Sequence, residues 1–442
     1  MIVPRPRLLF WVSGGVLPLA VLAATAPHTA ATVGVLVTAF ALLVLADAVR
    51  SGGRREGLRV ELPDLVRLTQ DRQGTIEVQV HNASKKKERL RIGLALPHAI
   101  GTPSDVRVAE LPEGAAVSRL QWPCTARRRG RYRLERCSLE ISSRFGFWDI
   151  RWAAPARSEI HVYPNLLAES RSVGALFLNR GTAGIHSLRQ VGKGREFEKL
   201  REYIPGDSYD DIHWKATAKR GHPITKVFQI ERTQEVYVVI DASRLSARAS
   251  GEPPVPALER FITAALILAL AAERQDDLFG LLAFSNRVQR FVRARRGKTH
   301  FDACREALFT LQPQIVTPDF EETASFIRLR LRRRALLVFL TELDDPVLAE
   351  SFLKSSELFC RQHLVLVHAL RPANVRPLFS DADVSNADDV YRKLAGHVAW
   401  QSLDELSRRL KQRGIDFSVL ENESLCAGLV SRYLGVKRRQ LL

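Results

Sequence analysis

Two apolar runs open the chain, residues 8–26 and 31–46, neither holding a charged side chain and the pair separated by Pro27-His28-Thr29. Each approaches the roughly 20 residues that cross a hydrocarbon core, so the pattern predicts a transmembrane helical hairpin within residues 1–56. From Gly57 to about Pro164 the pattern shortens to period two: Thr75-Ile76-Glu77-Val78-Gln79-Val80, Leu90-Arg91-Ile92 and Ser138-Leu139-Glu140-Ile141 alternate apolar with polar residues between turn formers. Alternation of this kind without a helical stretch predicts a β-sandwich domain over 57–165. Over 166–234 the alternation lapses into mixed polarity. Across 235–442 nearly continuous apolar runs, 236–240, 278–284, 335–340, 363–367 and 415–420, take turns with helical patterns, notably 255–274 and 346–361. Strands buried on both faces with helices between them predict a mainly parallel, doubly wound sheet. The expected fold class is multidomain, α/β plus all-β.

Charge orients the hairpin. Arg5 and Arg7 precede the first run, Arg50, Arg54 and Arg55 follow the second, and the connecting loop has no Lys or Arg. The positive-inside rule then places both ends of the hairpin, and the soluble domains, on the cytoplasmic side of the cell membrane. A cleaved signal peptide is the competing reading, because Ala24-Thr25-Ala26 resembles a processing site; Pro27 directly after it hinders cleavage, so the hairpin is favoured. The net charge of +18 is carried in clusters at 85–87, 127–129, 293–296 and 328–334. Beside a membrane anchor, and with no recognisable nucleic-acid module, these clusters point to protein partners or anionic lipid headgroups rather than to specific nucleic acid. Five scattered cysteines in no ligand spacing suggest reduced thiols and neither a disulfide framework nor a zinc site.

In open α/β sheets ligands bind beyond the carboxyl ends of the strands, where this sequence puts Asp241-Ala242-Ser243, Ser285-Asn286 and Thr341-Glu342. Asp241, Ser243, Thr299 and Glu342 supply oxygens from separate loops, as the metal-ion-dependent adhesion site of von Willebrand A domains does for Mg²⁺. The resemblance to that fold covers 235–442. The motif departs from the adhesion pattern in three places: Leu245 stands where a second serine belongs, Arg244 adds a positive charge, and Glu342 replaces Asp. The metal-free reading, with Asp241 and Thr299 capping helices and ordering loops, is therefore favoured over a Mg²⁺ site. No catalytic residue is assigned. His300 and Cys304, four apart on a helical pattern, are read as incidental neighbours rather than a nucleophile pair.

The densest polar text runs through 194–220, as Gly194-Arg195-Glu196-Phe197, Leu200-Arg201, Tyr203, Gly206-Asp207, Asp210-Asp211-Ile212-His213-Trp214-Lys215. It resembles the signature of the domain-of-unknown-function-58 (DUF58) family, and Arg129-Gly130-Arg131-Tyr132 and Arg144-Phe145-Gly146-Phe147 resemble further elements of that family. The resemblance implies a membrane protein with a von Willebrand A-like end and no established catalysis. It also implies a scaffold or assembly role beside MoxR-type AAA+ ATPases and other von Willebrand A proteins. The alternative from another class is a metal-dependent or hydrolytic enzyme using Asp207, Asp210, Asp211 and His213. Interleaved Arg195, Arg201, Lys215, Lys219 and Arg220 favour instead a charge-paired clasp bridging the domains over 166–234, with Trp214 buried within it.

Overall fold

The computed structural model describes residues 1–442 except 56, 168, 172–173, 175–190, 205–207, 230–233, 251–253, 373–374, 379, 381–385 and 440–442. The chain separates into two compact units, residues 1–165 and 166–442.

The first unit begins with strand β1 (Ile2–Pro4) and two apolar helical stretches. The first stretch joins α1 (Pro6–Trp11), a π-helical turn (Val12–Val16) and α2 (Leu17–Thr25); the second is α3 (Ala30–Gly52). Both are long and apolar enough to cross a membrane, with mean hydropathy of 1.9 and 2.3 over their most apolar windows, and nearly all of their side chains face outward.

Nine strands follow: β2 (Leu58–Glu61), β3 (Leu65–Thr69), β4 (Gln73–Asn82), β5 (Glu88–Leu94), β6 (Ile100–Gly101), β7 (Val106–Leu111), β8 (Val117–Ala126), β9 (Gly130–Ser142) and β10 (Trp148–Tyr163). They form a six-stranded sheet, β1-β10-β9-β5-β7 with β3 also on β10, and a four-stranded sheet, β2-β4-β8-β6. Every pairing is antiparallel except β3 with β10. The period-two text does what it must: alternate residues of both sheets, among them Ile76, Val78 and Val80 on β4 and Leu139 and Ile141 on β9, enter one shared core. Trp122 is fully buried there and keeps its indole N–H satisfied on Thr102 Oγ1 at 3.1 Å.

In the second unit, β11 (Val191–Glu202) and β12 (Ile224–Gln229) form an antiparallel pair enclosing a short helix, α4 (Trp214–Arg220). The main sheet consists of β13 (Glu235–Asp241), β16 (Leu278–Phe284), β17 (Val288–Arg295), β18 (Leu336–Leu340), β19 (Leu364–Leu370) and β20 (Ile415–Leu420), in the order β17-β16-β13-β18-β19-β20. Two-residue strands β14 (Ala249–Ser250) and β15 (Val255–Pro256) make a separate ribbon. All main-sheet pairings are parallel except that of β17, which turns back along β16. One face of the sheet packs on α5 (Ala257–Arg274), α6 (Lys298–Phe309) and α10 (Leu425–Arg439). The other face packs on α7 (Phe320–Arg330), α8 (Pro346–Ser356) and α9 (Ala387–Gln412). Helices on both faces explain why the strands read as unbroken apolar runs. Asp319, Asp345 and Asn386 each cap a helix by accepting a backbone N–H through a side-chain oxygen.

Candidate functional site

Two polar regions of the second unit carry the residues singled out in the sequence, and they are built differently. The first lies at the carboxyl ends of β13 and β18, where strand order reverses: the chain runs from β13 to β16 on one side and then to β18 on the other. Asp241, the last residue of β13, is fully buried. Its Oδ1 accepts the Ser243 backbone N–H at 2.8 Å and its Oδ2 accepts the Thr341 hydroxyl at 2.7 Å. Ser243 Oγ in turn accepts the Leu245 N–H at 3.3 Å, and Ser246 donates its hydroxyl to Ser243 O at 2.9 Å. The Arg244 N–H donates to Val316 O and the Gln314 N–H to Ala242 O, so the loop before α7 is stitched onto the same turn. Burial pushes the Asp241 carboxyl above the ordinary carboxylate range, an effect its two donors only partly offset. Burial likewise pushes Glu342 up to about 8, although Leu370 donates its N–H to Oε1 at 3.2 Å; the charges of Asp344 and Asp241 raise it further.

Of the four adhesion-site candidates, Asp241, Ser243 and Glu342 meet here and Thr299 does not. Thr299 is exposed in the first turn of α6. The next residue, His300, donates from Nε2 to Phe279 O at 2.7 Å, at the amino end of β16. Because β17 runs antiparallel, it returns the chain to the end of the sheet opposite Asp241, and no loop brings Thr299 back. Thr341, one residue before Glu342, supplies the hydroxyl instead. The expected capping role of Asp241 and Thr299 needs the same correction: Asp241 orders its loop through Ser243 and Thr341, while α6 begins without a side-chain cap. Leu245 is fully buried in the apolar core, so no oxygen stands at that corner. With both Asp241 oxygens engaged by protein donors and no oxygen at position 245, this donor set is a poor fit to Mg²⁺.

The second region is the signature segment. Gly194, Arg195, Glu196 and Phe197 lie on the backbone of β11, and their side chains fall outside the described residues, as do Gly206 and Asp207 altogether. Leu200 and Arg201 are half-buried on β11, opposite Lys226 and Thr225. Tyr203 stacks on Tyr209 with ring centroids 6.1 Å apart. Ile212 is buried and bridges to Thr225. His213 sits at the N-cap of α4, where Nδ1 accepts the Ala216 N–H at 3.1 Å. One ring nitrogen is thereby committed to the backbone, which argues against acid–base work at that atom. The clasp expectation fails at its centre: Trp214, the first residue of a seven-residue helix with no buried side chain, is 67% exposed. Ile204 at 55% and Tyr209 at 75% are exposed beside it in sequence, and Asp210, Lys215, Lys219 and Arg220 face solvent.

The incidental reading of His300 and Cys304 has a physical basis. His300 Nε2, 3.6 Å from Cys304 Sγ, is the nitrogen bound to Phe279 O, and burial pushes the thiol up to about 12. Neither group is in the state a thiolate nucleophile needs.

Residues 199–385 match the family described as Protein of unknown function DUF58, a stretch that holds most of the signature and the main sheet as far as β19. The chain is 22% identical over 270 residues to uncharacterized proteins of Mycobacterium bovis and Mycobacterium tuberculosis, a match that covers 57% of this chain and 82% of each relative. Among solved structures, similarity extends to the SpRpn10 VWA domain, with 9% identity, 45% of this chain, 95% of that domain and a TM-score of 0.28. Proximal thread matrix protein 1 of the mussel byssus is similar with 11% identity, 46% of each chain and a TM-score of 0.25.

Proposed function

We propose that this chain is a membrane-anchored, non-enzymatic scaffold. In this reading a transmembrane helical hairpin carries a β-sandwich domain and a von Willebrand A-like, doubly wound α/β domain in the cytoplasm. The signature segment presents a contact surface to a protein partner, a MoxR-type AAA+ ATPase, in company with other von Willebrand A proteins. The observation that carries it is the exposure of Trp214 and Tyr209 among Lys215, Lys219 and Arg220. Trp and Tyr, with Arg, are the side chains that dominate binding energy at protein interfaces. The Asp241 network supports the scaffold reading from the other side. It interlocks three loops through hydrogen bonds and needs no Mg²⁺ to hold them.

The test is a titration of the full chain, reconstituted in lipid nanodiscs, with the MoxR-type ATPase of the same organism. Trp214→Ala and Tyr209→Ala are each expected to weaken binding by about 2 kcal/mol or more, roughly thirtyfold, as interface anchors do. Unchanged affinity in both variants contradicts the proposal.

A further inference from the structure

One element singled out in the sequence has no role in that proposal, the Arg144-Phe145-Gly146-Phe147 turn between β9 and β10. It lies along the last three turns of α3. Phe147 meets Phe40 edge-to-face at 5.9 Å, the Trp148 indole donates to Val44 O at 3.0 Å, and the Phe145 N–H donates to Asp47 Oδ1 at 3.2 Å. Positions 40, 44 and 47 share one face of the helix. The start of the hairpin is held to the same place, because β1 pairs with Trp148–Ile150 and Arg5 Nε lies 3.3 Å from Asp149 Oδ1. Gly146 has φ +77°, and a Cβ there would come within 3.3 Å of Arg7 Nη1, so a side chain is disfavoured on both counts.

We propose that this turn is a lipid-interface wedge that seats the β unit against the bilayer, with Phe145 at the headgroup–acyl boundary. The inference rests on the hairpin spanning the membrane. Three further observations support it. Phe145 is 56% exposed although Phe147 is buried against α3 and Asp47, on that helix, is buried too, so an exposed apolar ring stands beside an apolar span. Five hydrogen bonds fix the backbone of the turn within the protein: Ser143 N to Trp148 O, Gly146 N to Ser143 O, Trp148 N to Ser143 Oγ and Arg5 N to Phe147 O join the Phe145–Asp47 bond. Each such bond lowers the cost of carrying the turn to the edge of a water-poor layer. Finally, β5 pairs with β9 in a register that places Lys85, Lys86 and Lys87 at the same end of the unit, exposed, where anionic headgroups would meet them. The wedge also accounts for Asp47, an acid in an apolar helix, as the acceptor that closes the turn.

The test places one environment-sensitive dye at a time in the full chain carrying Cys360→Ser, the other four cysteines being buried. Phe145→Cys, Arg144→Cys, Leu42→Cys and Arg128→Cys are compared in nanodiscs of phosphatidylcholine and phosphatidylglycerol carrying nitroxide quenchers near the headgroup or near the acyl end. Arg128 lies at the opposite end of β9 from the turn. Dyes at 144 and 145 should be quenched several-fold more by the shallow nitroxide than by the deep one, the dye at 42 by nitroxides within the acyl layer, and the dye at 128 by neither. Quenching at 42 with none at 144 or 145 overturns the wedge and leaves the hairpin standing. No quenching at 42, 144 or 145 overturns both.

Discussion

The two polar regions of the α/β unit use charge in opposite ways. At the carboxyl ends of β13 and β18 a few polar groups are sealed from water, each fixed by a named donor, and their carboxyls are shifted upward by burial. In the signature segment many charges crowd a short stretch and, among the described residues, most stay in solvent, with Tyr209 and Trp214 exposed in the same stretch. The difference teaches that density of charge in a sequence does not measure burial. A buried carboxylate needs a designated partner for each oxygen, and few residues can be provided for in that way. A surface segment has no such limit, and its charges are free to act on something outside the chain.

If the sealed region is structural, damage there should be the most costly. Asp241→Ala orphans the Ser243 N–H and the Thr341 hydroxyl, each worth about 1–3 kcal/mol when left buried and unpaired. The variant is expected to lose several degrees of melting temperature in detergent micelles, while Asp241→Asn, which keeps an acceptor, loses less. Equal stability of Asp241→Ala and the parent would break the comparison.

The sealed acid also predicts a pH dependence. Glu342 titrates near 8 when folded against an ordinary 4.5, so from 4.5 to 8 the folded chain holds a proton the unfolded chain lacks and stability falls as pH rises. Buried His368 works the other way: its folded pKa is depressed to about 3, so its contribution rises with pH up to 6.5. The two oppose each other between 4.5 and 6.5; from 6.5 to 8 the His368 contribution no longer changes, and Glu342 lowers stability with a slope of up to about 1.4 kcal/mol per pH unit, in the same direction as the raised carboxyl of Asp241. Glu342→Gln should make that limb shallower in a series of thermal melts. A limb as steep in the variant as in the parent assigns it to another group.

A smaller effect separates the cysteines. Burial pushes Cys304 and Cys426 up to about 12 and raises Cys124 and Cys137, whereas Cys360 is only half-buried. Alkylation of the folded chain at pH 8, followed by peptide mass spectrometry, should modify Cys360 first. Early modification of Cys304 would mean that the face carrying α6 opens readily.

Much of this architecture is legible in the sequence because it follows from periodicity. The five apolar runs from 236–240 to 415–420 fall on β13, β16, β18, β19 and β20, and the helical patterns at 255–274 and 346–361 fall on α5 and α8. The edge strand β17 is harder to see, since only one of its edges is paired and its Arg290, Arg293 and Arg295 look like a charge cluster. That strand also decides the fate of Thr299: spacing along a chain cannot tell which end of a sheet a residue reaches when one connection runs antiparallel. Trp214 misleads for a related reason. A large aromatic ring suggests burial, but a helix of seven residues on a two-stranded pair has little apolar surface to cover it. Thr341 was visible at its strand end, and only the geometry singles out its hydroxyl as the partner of Asp241.

The central claim is that the signature segment is a contact surface rather than a buried clasp, and Trp214→Ala tests it most directly when melting temperature and binding to the MoxR-type ATPase are measured on the same preparation of full chain. An indole 67% exposed contributes little to the fold, so the account predicts an unchanged melting temperature with binding weakened roughly thirtyfold or more. A fall of several degrees with binding undiminished would contradict it.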